Sequence, residues 1–198
     1  MITQPIEDFD FFSQLSLFAQ CISDAGKLQM RYMQGVDTVE EEHALFERSA
    51  TIQKKLILQK QMGLFPEEKR RFCILLSALS FRCQHRLLGI PRLCRLYASD
   101  LISAHLSPLA ERTAILTECF TFFCRSKDTE PLFSVASAEE IFKVCIEGIR
   151  ECRGILVKIK SEPLSVVEKL LFKDLVEEYL DLYSLSIQFL HCGLLFPL

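Results

Sequence analysis

A chain of 198 residues with 49% hydrophobic and 25% charged side chains carries enough apolar material for a packed core, which excludes a disordered polymer. Its formal net charge of −3 argues against a general binder of nucleic-acid backbones, and no apolar run reaches the 18 or so residues that span a bilayer. Only 7 Gly and 7 Pro occur, too few for a protein built of hairpins, and 16 Phe with no Trp point to a Leu/Phe/Ile core.

Helical punctuation divides the chain into about seven segments. The first runs over roughly 6–34, with Phe11, Leu15, Phe18, Ile22 and Ala25 recurring at three- and four-residue steps and Gly35 ending it. The second covers roughly 38–62. Thr38 and Glu41 have the spacing of a capping box, Glu40 to Glu42 favour the positive helix end, and Gly63 stops it.

Pro66 opens the third over roughly 66–88, with Phe72, Leu75, Leu76, Leu79 and Cys83 in its buried stripe and Gly89 closing it. Pro91 begins a shorter fourth helix, roughly 91–105. Ser107-Pro108 restarts the chain for a fifth, roughly 108–125, whose Phe120, Phe122 and Phe123 suggest burial on every face.

A polar loop leads to Ser137 and Glu140, a second capping box opening a helix over roughly 138–161. Ser165 with Glu168 is a third, opening the last, roughly 166–192, with Gly193 beyond it. The expected fold is therefore all-α: an antiparallel bundle of about six to seven helices forming a single domain over 1–198, with long outer hairpins around shorter central helices.

Charge is unevenly spread. Residues 1–53 carry 9 acidic and 3 basic side chains, residues 54–95 carry 10 basic and 2 acidic, and the remainder carry 10 basic and 15 acidic. The basic stretch gathers Lys69, Arg70, Arg71, Arg82, Arg86, Arg92 and Arg95 on the third and fourth helices, a patch suited to carboxylates. Two counterparts suit it: a partner with an acidic surface, or the acidic thirds of the same chain. A helix-turn-helix across Leu88-Gly89-Ile90 is disfavoured, because the fourth helix is rich in Leu, Ala and Ile rather than base-reading polar residues. The uncharged carboxyl-terminal run, including Leu194, Leu195 and Phe196, is a second candidate for partner binding or for contact with another copy of the chain.

Nine cysteines at irregular spacing, with no C-x₂-C pair, read as packed thiols rather than a disulfide framework or zinc site. A reducing compartment, the cytoplasm, is the expectation. The first residues show no secretory leader, and a signal-independent route of secretion stays open. A di-iron carboxylate site in a helical bundle needs two E-x-x-H motifs, and only Glu40 with His43 supplies one. No nucleophile elbow or phosphate loop occurs. No cofactor is therefore expected. The function expected is a non-enzymatic module that binds another protein or peptide, in the manner of an adaptor, chaperone or secretion-associated accessory protein. The alternative is a bundle with an internal small-molecule or metal site and an enzymatic role.

Overall fold

The computed structural model describes residues 11–61, 67–97, 100–124 and 135–195. Among them are six helices: α1 (Phe11–Met33), α2 (Val39–Gln61), α3 (Glu67–Tyr97), α4 (Asp100–Phe123), α5 (Val135–Ser161) and α6 (Val166–Leu194), with no strand. Residues 6–10, Gly63 and Pro66, on which expected helix ends fall, lie outside the described residues. Buried side chains from all six helices join one apolar cluster. α6 packs against α3 and α5, while α1 packs against α2, α3 and α4. No described helix is long and apolar enough to cross a membrane.

Two expected breaks are absent. α3 runs through Gly89 and Pro91, and α4 runs through Pro108. A proline inside a helix forfeits a backbone hydrogen bond and costs about 3 kcal/mol, and a glycine about 1 kcal/mol. Packing outweighs both. Leu76, Leu79, Cys83, Leu87, Ile90 and Cys94 are buried at steps of three and four residues, and the stripe keeps its phase across Pro91. Leu106, Leu109, Thr113, Leu116 and Phe120 do the same across Pro108. α3 ends at Tyr97 and α4 begins at Asp100, both inside the expected short fourth helix. The central helices are accordingly not short, α3 being the longest at 31 residues. Burial of the Phe120 segment on all sides is also corrected, since Phe122 is 62% exposed while Phe120 and Phe123 are buried.

Helix ends match the sequence in part. Gly35 adopts φ +82°, and the Gly35 and Val36 amides return to the Tyr32 and Arg31 carbonyls, closing α1 in a Schellman turn. Ser165 and Glu168 form the expected capping box, the Ser165 amide donating to Glu168 Oε2 at 2.8 Å. Thr38 and Glu41 do not form one. The Thr38 hydroxyl donates to Glu42 at 2.6 Å, Asp37 accepts from the Val39 amide, and Glu41 reaches across to Arg31. Glu42 rather than Glu41 faces inward, so the hydroxyl follows it. α5 starts at Val135, ahead of Ser137, whose side chain lies outside the described ones.

Two glycines are set by close approach. A Cβ at Gly26 would stand 2.3 Å from Thr117 Oγ1, and one at Gly148 would stand 2.4 Å from Tyr183 Cζ and 2.7 Å from Cε1. Tyr183 cannot swing away. Its hydroxyl donates to the Leu109 carbonyl at 3.3 Å and meets Thr113 Oγ1 at 3.3 Å, which makes Thr113 the donor in that second contact. Gly148→Ala is expected to lower stability by about 1–3 kcal/mol through overpacking, despite alanine's better helix propensity. Urea unfolding reads this as a lower midpoint at constant m. A variant as stable as the parent would show that the Tyr183 ring is free to relocate.

Candidate interaction surfaces

The basic residues singled out from the sequence divide into two groups. Arg86 and Arg95 turn inward. Arg86 lies between Glu178 (2.6 Å) and Asp181 (2.9 Å) of α6. Arg95 engages both carboxylate oxygens of Glu42 on α2, and its guanidinium stands 5.1 Å from the Tyr32 ring centroid. Bonding to Glu42 holds the Arg95 pKa above its ordinary value. The acidic flanks of the chain therefore answer these two arginines internally.

Arg71, Arg82 and Arg92 turn outward. Arg71 makes a one-turn pair with Glu67 at 2.6 Å. Arg92 sits 5.9 Å from the Phe46 ring. Among the described residues no carboxylate is within ion-pair distance of Arg82 or Arg92. The side chains of Lys69 and Arg70 lie outside the described ones.

Continuity of α3 gives the outward group its geometry. Arg71, Leu75, Ala78, Arg82, His85, Gly89, Arg92 and Leu96 follow one another at alternating four- and three-residue steps, and each is exposed or half-buried. They form one ridge opposite the buried stripe, and Leu75, expected within that stripe, is exposed on the ridge instead. From Lys69 to Tyr97 the sequence contains no Asp or Glu. Beyond the Arg71–Glu67 pair at its start, the ridge thus carries cations and aliphatic surface with no acid of its own helix beside Arg82 or Arg92. An unbroken helix also lacks the turn that a helix-turn-helix requires.

At the carboxyl end, Leu194 and Leu195 are exposed, Leu195 at 79%. Phe196 lies outside the described residues. The Leu195 amide bonds back to the His191 carbonyl at 3.2 Å, fixing the end of α6.

A groove that the sequence reading missed lies where the last turns of α5 meet the first turns of α6. Leu156, Ile159, Val166 and Leu170 supply apolar surface, and Lys160, Lys169 and Lys173 stand among them, around a space of 420 Å³. On α5 these positions are spaced i, i+3, i+4, and on α6 i, i+3, i+4, i+7, so each set is one helix face. The signal was present in the sequence as apolar residues at 166, 167 and 170, which do not belong to the stripe of Phe172, Leu175 and Leu182.

The interior offers less room. The cavity among Leu15, Ile22, Cys83, Phe120 and Phe189 has no space for a water molecule. Glu40 and His43 are exposed on α2, His43 facing Glu47 at 3.4 Å. Among the described residues no three His, Cys, Asp or Glu side chains cluster as metal ligands.

Seven cysteines are buried and two half-buried, all as free thiols. Burial pushes the Cys83, Cys94, Cys145 and Cys152 thiols up to about 12, as expected for removal of a thiolate from water. The Ser186 hydroxyl beside Cys83 and Cys145 lowers each by less than burial raises it. Such thiols are poor nucleophiles. No family model and no curated protein matches the chain.

Proposed function

We propose that the protein is a non-enzymatic interaction module that binds an acidic polypeptide along the outer ridge of α3. The observation that carries this reading is the 29-residue stretch from Lys69 to Tyr97 without a carboxylate, whose outward face alternates exposed Arg82 and Arg92 with Leu75, Ala78 and Leu96. Arginine recognises carboxylates through paired donors, and aliphatic neighbours exclude water from those contacts. Adaptor, chaperone or secretion-associated roles share this physical requirement.

Arg86 and Arg95 support the module by tying α3 to α6 and α2. Charge reversal at either would disturb the fold, so the informative variant is Arg82→Glu with Arg92→Glu. A photo-crosslinking amino acid at His85, on the same ridge, is expected to capture a discrete protein in the native host. The double reversal should reduce that capture at least tenfold while the melting temperature stays within about 3 °C, as for surface changes. Capture unaffected by the reversal, or capture of nucleic acid instead of protein, would overturn the reading.

A further inference from the structure

We infer that the groove between the end of α5 and the start of α6 is a second docking site, one that receives an acidic amphipathic helix. Two antiparallel helices expose parallel ridges here, and the hollow between such ridges is the seat a third helix takes in ordinary helix packing. Its apolar surface is Leu156, Ile159, Val166 and Leu170. Val166 is 75% exposed and Leu170 is 55% exposed, large values for aliphatic side chains on a packed hairpin. The volume, 420 Å³, is of the size that takes the few apolar side chains an amphipathic helix presents over two turns.

Charge selects the occupant. Residues 153–173 carry five basic and two acidic side chains in a chain whose net charge is −3. One of those acids, Glu168, is turned into the Ser165 capping box and away from neutralising the lysines. Lys160, Lys169 and Lys173 lie within the groove itself; Lys173 makes a one-turn pair with Glu177 at 3.3 Å, an exposed pair that a carboxylate flanking an apolar stripe can displace, and Lys160 and Lys169 make no ion pair among the described residues. The site is also preformed: the capping box fixes the first turn of α6, and Lys169 Nζ donates to the Lys160 carbonyl at 3.0 Å, bolting the two helix ends together. A concave seat favours a helix over a planar lipid surface, which would leave the hollow unfilled. This site is distinct from the α3 ridge, so each reading stands or falls alone.

The test uses the full chain and a fluorescein-labelled helical peptide with leucines at i, i+3, i+4 and i+7 and glutamates beside them. Two controls are its scramble and the same peptide with lysine for glutamate. Saturable binding is expected for the acidic amphipathic peptide alone. Lys160→Glu with Lys173→Glu should weaken it at least tenfold, and so should Leu170→Glu, with unchanged circular dichroism. Amide exchange should slow in 155–173 and stay unaltered along α3. Three results would overturn the proposal: equal binding of the scramble, protection confined to the α3 ridge, or capture by phosphatidylserine vesicles with no peptide binding. Self-association abolished by Leu170→Glu would replace the acidic helix with a second copy of the chain, and would overturn it too.

Discussion

Raising the pH above about 10 is expected to unfold the protein while it remains fully reduced. The cause is the set of thiols locked in the core. An ordinary thiol ionises near 8.5, as these do in the unfolded chain, so from about that pH upward the unfolded chain binds fewer protons than the folded one. Folded Cys83, Cys94, Cys145 and Cys152 hold their protons up to about 12. Stability therefore falls as pH rises between those values, by up to about 1.4 kcal/mol per pH unit for each thiol. Four thiols together remove roughly 8 kcal/mol by pH 10, comparable with the whole stability of a typical domain. Cys124, Tyr179 and Tyr183, all raised by burial, steepen the loss further. Far-ultraviolet circular dichroism in reductant should show a cooperative loss of helix coincident with thiolate absorbance. Cys83→Ala and Cys152→Ala should each flatten the dependence of stability on pH, whatever they do to stability at neutrality. A chain still helical above pH 11 would show that the thiols titrate in place and that the core is open to water.

The helical class was legible because it is written locally, in stripes of Leu, Phe and Cys at three- and four-residue steps and in end signals such as Gly35 and Ser165. The misplaced boundaries come from weighing Gly89, Pro91 and Pro108 as isolated residues. Each disfavours a helix by a few kcal/mol at most, whereas the stripe on either side keeps one phase and buries a continuous row. Following the phase from Leu76 through Cys94 would have found α3 whole. Thr38 failed as a capping box for a different reason. Both Glu41 and Glu42 follow it, and which of them turns inward depends on Arg95, distant in sequence. Tertiary partners of that kind leave no trace in spacing. For the same reason a run of arginines could be seen as a patch, but its division into Arg86 and Arg95 inside and Arg82 and Arg92 outside could not. The lysine-lined groove was hidden by attention to the buried face of α6, because its own face is read from the residues that the core does not use.

Replacing Arg95 with methionine is expected to destabilise the protein by about 3–5 kcal/mol, the cost of leaving a buried carboxylate without its counter-charge. Glu42 is 1% exposed, and beyond Arg95 its carboxylate has the Thr38 hydroxyl for a partner. Arg95→Lys should recover part of the loss, since one ammonium replaces a fork that spans both oxygens, and it gives up the stacking on Tyr32. The decisive variant is the double change Arg95→Met with Glu42→Leu. Substituting both members of a buried pair by apolar residues of similar size is often neutral or stabilising. The double variant should therefore stand within about 1 kcal/mol of the parent, and the cycle should show a coupling of several kcal/mol. Chemical denaturation of the four proteins measures it. Additive effects would mean that Arg95 and Glu42 act separately, leaving Arg95 available to the outer ridge. Strong coupling would instead fix the division between internal and external arginines, which decides the residues a partner can reach on that ridge.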